Sequence, residues 1–316
     1  MLMATIKTMQ PKSISIAGAN TLLGQHLLER LLERSTLHIA SLHDRLAEQG
    51  ASSIIDSSEW AVDPKTARQL RDVPLLTPAA EALAPILVSF LPENGAKEIE
   101  AKHLARGTRV VTHCEHARLN VPLAFPNILP DPDPATQYLA TPNCTTAICA
   151  LPLYHIHRAH TIEAATITTL QAVSGADLPG IHAYMIHDRV IGHLDGEANA
   201  LTQELNRIFD SAFAIDVFAT RVPVWRGHTI TVSLHLKREN NCLAVEKTLR
   251  SVPGIHVESL GTKINRARDP FTSNMPLATV GALRDGANNV LMILKGDNLN
   301  AATVGLMETI LERLEF

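Results

Sequence analysis

The chain has 316 residues, of which 46% are hydrophobic and 19% charged, with a net charge of −4 at pH 7. This balance fits a packed globular protein and excludes a disordered one. Mild acidity and an aromatic content of 4% give no footing for nucleic acid, and no apolar run reaches the ~18 residues of a membrane span.

The length suffices for two domains. The first twelve residues lack an apolar core like that of a secretory leader, so the expected compartment is the cytoplasm. Cys114, Cys144, Cys149 and Cys242 then read as reduced thiols, and the fifteen histidines form no metal-ligand motif, so no metal is expected.

In chain order, Ser13–Ala17 reads as a strand, and leucines at helical spacing over 22–32 predict a helix. Further strands are expected over 37–42, 85–91 and 108–112, with a helix running through Glu98 and Ile99. That alternation predicts a parallel sheet with helices on both faces. Four prolines within 126–134 mark a crossing between domains. Beyond it, β-rich runs over 162–173, 215–224, 229–236 and 289–294 alternate with helical stretches over 178–194 and 198–209. The second part thus reads as α+β with a mixed sheet. An amphipathic helix is expected over 300–314.

Gly18-Ala-Asn-Thr-Leu-Leu-Gly24 follows the first strand and opens the first helix. A pyrophosphate would meet backbone N–H groups there, but an ordinary β–α turn has the same shape. After the second strand, Asp44 would suit a ribose hydroxyl and Arg45 a 2′-phosphate, so NAD and NADP both stay open.

Thr141-Pro-Asn-Cys-Thr-Thr146 suits a helix start, where the positive end of the dipole favours a thiolate at Cys144. Cys149 and Cys242 read as small buried hydrophobes. In Arg221-Val-Pro-Val-Trp-Arg-Gly-His228, His228 shares parity with Ile230, Val232 and Leu234 and should point inward. It is either a satisfied core histidine or the proton partner of a nucleophilic cysteine. Arg221 could grip a carboxylate or make a surface ion pair.

Together, GANTLLG at 18–24, VVTHCEHAR at 110–118, TPNCTTA at 141–147, QAVSGADLPG at 171–180, DGE at 195–197, RVPVWRGH at 221–228 and GDNLNAA at 296–302 resemble the aspartate-semialdehyde dehydrogenase family, in its archaeal and fungal branch. The resemblance implies a Rossmann-like parallel-sheet dinucleotide-binding domain (residues 1–140 and 299–316). It also implies an α+β catalytic and dimerisation domain with a mixed sheet (residues 141–298), in a homodimer or homotetramer. It implies reduction of L-aspartyl 4-phosphate by NADPH, with NAD a second option, through a thioester on Cys144 and with His228 as acid/base. Asn143 and Gln171 would position the reacting group, Arg221 and Glu197 would hold the substrate carboxylate and amine, and Arg118 would hold phosphate. The implied cofactor contacts are Gly18, Asn20, Thr21, Leu22, Leu23, Gly24, Ser41, Arg45, Ser174, Gly175 and Asn298.

Four positions depart from the family pattern. Thr21 and Asp177 replace glycines near the cofactor, Glu115 adds negative charge beside the phosphate arginine, and Ala200 stands where a lysine assists it. Reduction of another activated acid, such as a thioester, and a non-catalytic ligand-binding role are therefore the alternatives.

Overall fold

The computed structural model describes residues 12–176, 178–237, 241–258 and 276–314; Asp177 lies outside them. The amino-terminal part alternates strands and helices. These are β1 (Ser13–Ala17), α1 (Leu22–Arg34), β2 (His38–His43), α2 (Arg45–Glu48), α3 (Pro64–Gln69), β3 (Leu75–Leu76), β4 (Ile86–Ser89), α4 (Glu93–Ala105), β5 (Arg109–Thr112), α5 (Glu115–Arg118) and β6 (Tyr138–Ala140). The strands form one sheet in the order β3-β2-β1-β4-β5-β6, every pair parallel. β1, β4 and β5 are buried almost throughout, as strands covered on both faces are; Ile86–Val88 shows it as an apolar run, while β1 alternates isoleucine with buried serine. The strand order reverses between β1 and β4, so a crevice opens at their carboxyl ends, where such sheets hold ligands.

The proline cluster does not carry the crossing between sheets. The chain returns to add β6 beside β5, and leaves only at the loop before α6 (Cys144–His160). A three-residue strand completing an existing sheet edge is too short to show a period in the sequence.

The second sheet follows α6. It contains β7 (Ile162–Gln171), β8 (Ala214–Arg221), β9 (His228–Leu236), β10 (Ile255–Val257), β11 (Ala278–Asp285) and β12 (Val290–Gly296). Its order is β10-β11-β12-β9-β7-β8, with the inner pairs antiparallel and the outer pairs parallel, so it is mixed as expected. Helices α7 (Ala183–Ile186), α8 (Glu197–Ile208) and α9 (Cys242–Arg250) accompany it, and α6 packs on α8, α9 and the sheet. The helical stretch expected over 178–194 shrinks to the single turn of α7. Pro179, Gly180 and Gly192 interrupt it, and most of its residues stay exposed, so no apolar stripe is buried to hold a longer helix.

A π-helical stretch, Asn300–Val304, runs into α10 (Gly305–Arg313), which packs back on α1. Arg30 Nε meets Glu308 Oε2 at 2.5 Å across that contact, and Lys12 Nζ donates to Leu314 O at 2.8 Å. Among the described residues no helix is long and apolar enough to cross a membrane.

His43, at the end of β2, is fully buried between Ser41 Oγ (2.9 Å from Nε2) and the edge of the His103 ring. Burial pushes its pKa down to about 4 from the ordinary 6.5. As pH falls the unfolded chain takes up this proton first, so His43 should cost stability from about pH 6.5 down to about 4, by about 3 kcal/mol at most. Melting temperatures over that range should fall less steeply in His43→Gln; an unchanged slope would assign the acid sensitivity elsewhere.

Candidate active site

Cys144 is the first residue of α6. Asn143 caps the helix, its side chain accepting from Thr145 N–H at 2.7 Å. The Asn143 N–H is itself taken by Glu204 Oε2 at 2.8 Å, from the neighbouring α8. Glu204 is 2% exposed, and its other oxygen lies 3.6 Å from Arg118 NH1. The sequence reading missed Glu204. Its signal was the seven-residue spacing from Glu197, which puts both carboxylates on one face of α8 two turns apart.

His228 opens β9, is 1% exposed and points inward, as its parity predicts. Its Nε2 lies 3.5 Å from Cys144 Sγ, and its Nδ1 accepts the N–H of Ala172 at 3.0 Å. The neutral ring therefore carries its hydrogen on Nε2, facing the sulfur. Burial, reinforced by the charge of Arg221, pushes the His228 pKa down to about 3. Burial and then the charge of Glu197 push the Cys144 thiol up to about 11, against the partial opposition of Arg118. This corrects the expectation of a thiolate favoured by the helix start. Burial and Glu197 outweigh the opposite pull of Arg118 and of the Thr145 hydroxyl and amide, so the helix start does not decide the direction.

Strand register lines up the groups around this pair. Gln171 pairs with Arg221 across β7 and β8, while the β7–β9 pairing sets Leu170 beside Thr229 and so brings Gln171 next to His228. Arg221 donates to Ala172 O at 2.9 Å, is 6% exposed, and has no hydrogen-bond partner on Nε. The Gln171 side chain donates to Glu197 Oε2 at 3.3 Å. A Cβ on Gly175 would stand 2.9 Å from Arg221 NH1 and 3.2 Å from the His228 ring, so only glycine leaves both in place. Arg118 donates to His113 O at 2.7 Å and, like Arg221, has no partner for Nε.

A cleft of about 290 Å³ opens over the sulfur, and Asn143, Arg118 and Glu197 line it with Glu93 and Glu115. Leu22, Leu23, Ser174, Gly175 and Asn298 line it too, on the side of α1. Asn298 is engaged with the protein: Oδ1 accepts from Gly227 N–H at 3.0 Å, and Nδ2 donates to Ser174 Oγ at 3.2 Å.

A second cavity of about 340 Å³ lies at the glycine turn, lined by Gly18, Asn20, Thr21, Asp44 and Arg45. Gly18 has φ +73°, and a Cβ on Gly24 would meet Gly18 O at 2.1 Å, so both glycines are demanded by the turn itself. Thr21 caps α1 through Gly24 N–H. Asp44 turns inward, its oxygens accepting from Asn20 N–H at 2.9 Å and Leu46 N–H at 3.1 Å, and leaves Arg45 exposed at the cavity. Ser41, expected among the cofactor contacts, is fully buried and bonds Ser15 and His43 inside the sheet. Ser41, Leu42 and His43 are buried in succession, so both faces of β2 are covered here and alternation does not decide the outcome.

Comparison with known proteins agrees with this geometry. Residues 153–300 match the family described as semialdehyde dehydrogenase, dimerisation domain. An aspartate-semialdehyde dehydrogenase of Methanothermobacter thermautotrophicus is 25% identical, the match covering 93% of this chain and 96% of that one. A malonyl CoA reductase (NADP) of Metallosphaera sedula is 25% identical over 54% of each chain. The crystal structure of aspartate semialdehyde dehydrogenase with NADP from Candida albicans superposes with a TM-score of 0.79 at 22% identity, over 96% of this chain and 98% of that one. The ordered motifs and the paired sheets thus go with a semialdehyde dehydrogenase dimerisation-domain match over 153–300 and a likeness to aspartate-semialdehyde dehydrogenases over nearly the whole chain.

Proposed function

We propose that the protein is an NADP-dependent reductase that converts L-aspartyl 4-phosphate, or a close acyl phosphate, to the semialdehyde through a thioester on Cys144. The observation that carries this reading is Cys144 Sγ, in a cleft also lined by Arg118 and Glu197, at 3.5 Å from the buried His228 Nε2, with Gln171 and Arg221 held behind the cleft wall by strand register. The glycine turn and exposed Arg45 fit a dinucleotide with a 2′-phosphate, since Asp44 is spent on backbone amides. NADPH, when bound, supplies the hydride.

In this mechanism the Cys144 proton leaves to solvent through the cleft, the sulfur attacks the acyl carbon, and the C–O bond to phosphate breaks with phosphate as the leaving group. Hydride addition to the thioester then gives a thiohemiacetal, from which the C–S bond breaks to free the aldehyde. His228 Nε2–H first donates to the sulfur and then to the oxygen that gains charge beside it. Acting as a base toward the thiol requires more, since the ring must exchange tautomer and give up the bond from Ala172. Arg221, with its spare Nε, holds the substrate carboxylate, Glu197 the amine, and Arg118 the phosphate. Asn143 and Gln171 fix the geometry from either side. Subunits associate through the second sheet, whose edge strand β8 exposes Phe218, with Trp225 exposed on the loop that follows it.

A thioester donor is the second reading. Arg118 is shared with Glu204, Ala200 supplies no cation, and Glu93 and Glu115 make the cleft rim acidic, all of which disfavour a phosphate dianion.

With aspartate semialdehyde, phosphate and NADP, the purified protein should reduce NADP, and Cys144→Ser should lower that rate by at least roughly 10³-fold. Turnover only with an acyl thioester would select the second reading, and no turnover with either would leave a ligand-binding protein. Ala200→Lys should lower the KM for phosphate roughly fivefold, the scale of about 1 kcal/mol for a partly exposed ion pair; an unchanged KM would show that phosphate is not held beside α8. Finally, with a thiol pKa of about 11, roughly one site in 10⁴ is thiolate at pH 7 in the ligand-free protein. Alkylation of Cys144 should thus be slow near neutrality and climb until about pH 11, whereas a plateau below pH 9 would mean that the thiolate is stabilised before substrate arrives.

A further inference from the structure

Two side chains that line the Cys144 cleft, Glu93 and Cys114, and a third behind them, His116, are not used by the reductase chemistry. Glu93 stands at the start of α4, Cys114 precedes α5, and His116 lies in α5. Each offers one donor atom, and the three donors lie within 4.8 Å of one another. Glu93 Oε2 is 3.4 Å from His116 Nδ1, about the edge of a tetrahedron built on zinc bonds of about 2.0–2.1 Å.

The far side of the imidazole is already organised. His116 Nε2 lies 3.1 Å from Glu100 Oε2 and 2.9 Å from the Tyr138 hydroxyl. Glu100 is fully buried, and its carboxylate also accepts from Ser89, Thr112 and Tyr138. A buried carboxylate on the distal nitrogen is the support that orients a metal-ligating histidine and fixes its tautomer. A neutral ring that donates from Nε2 to Glu100 turns a lone pair on Nδ1 toward the Glu93 oxygen. Two acceptors 3.4 Å apart repel unless a cation or proton stands between them. Cys114 Sγ is a third donor within 4.8 Å of both.

We propose that Glu93, Cys114 and His116 bind one divalent transition-metal ion, and that the mixed thiolate, imidazole and carboxylate set selects zinc over calcium or magnesium. On binding, the Cys114 S–H bond breaks, its proton leaves to solvent and a sulfur–metal bond forms, with no change of oxidation state. Sγ gives up its 3.2 Å hydrogen bond to Leu91 O. Three protein ligands leave a fourth position open. Glu93 and Cys114 both line the Cys144 cleft, so that position is reached from the substrate side. The ion would offset the negative charge of the rim at Glu93 and Glu115. The proposal does not depend on which acyl donor the protein uses, and its readout is spectroscopic.

The test is anaerobic titration of the reduced, chelator-treated full-length protein with cobalt(II). A sulfur-to-cobalt charge-transfer band in the near ultraviolet, with the visible bands of tetrahedral cobalt, should saturate at one ion per chain and vanish on addition of zinc. The near-ultraviolet band should be lost in Cys114→Ser and kept in Cys144→Ser and Cys242→Ser. Glu93→Gln, at a half-exposed position, should weaken cobalt binding at least about tenfold. No such band in the folded protein, a band that survives Cys114→Ser, or one that disappears in Cys144→Ser would overturn the site. If Cys114→Ser fails to fold, unchanged cobalt affinity in Glu93→Gln overturns it equally, leaving a hydrogen-bonded network that caps α5.

Discussion

The buried carboxylate of Glu204 is the constraint on which the site depends. It receives the Asn143 N–H on one oxygen and faces Arg118 with the other, so one side chain ties α8 to the start of α6 and to the end of α5. Burial raises its pKa, while the Arg118 guanidinium and the Asn143 amide hold the charged form. An unpaired charge at 2% exposure would be costly, so the three segments are held together or not at all. Cys144, the proposed nucleophile, sits one residue beyond that junction. Its position is therefore set by a carboxylate that need not touch substrate, and Arg118 reaches the cleft already shared between an internal partner and any ligand.

The second constraint is strand register. The mixed sheet brings Arg221 on β8, Gln171 on β7 and His228 on β9 to the same end, although they are spread over 58 residues of sequence. A one-residue slip in any pairing would turn one of them to the opposite face. The bond from Ala172 N–H to His228 comes from the same region, where the chain leaves β7, and it decides which ring nitrogen carries the hydrogen. The tautomer and the register are thus one structural fact, fixed by backbone rather than by side-chain choice.

Electrostatics give the cleft its particular character. A thiol pushed up to about 11 and a histidine pushed down to about 3 are both neutral near pH 7, so the resting pair is not an ion pair. Glu197, Glu93 and Glu115 supply negative charge around it, and the helix turn after Glu197 brings Ala200 rather than a cation. In the proposed mechanism, activation of the sulfur comes with the ligands that enter, by bringing charge or by displacing water.

Much of this was legible in the residues. The β-branched residues of β1, β4 and β5, the leucine period of α1 and the alternation after His228 reported their elements directly, because burial and strand or helix geometry leave their mark on sequence. Cys144 at a helix start and His228 on an inward parity followed from the same rules. Short β6 carried no period, and 178–194 formed only α7 because burial of an apolar face, absent there, is what sustains a helix. Ser41 facing the core, Asp44 spent on amides and Glu204 beneath Asn143 are long-range matters that spacing does not encode. The direction of the Cys144 shift belongs with them. A helix terminus predicts a low thiol pKa from local chain direction alone, but the packed environment that reverses it is assembled from four segments distant in sequence. Sequence fixes what each residue can do; only the tertiary contacts decide which donors are already taken.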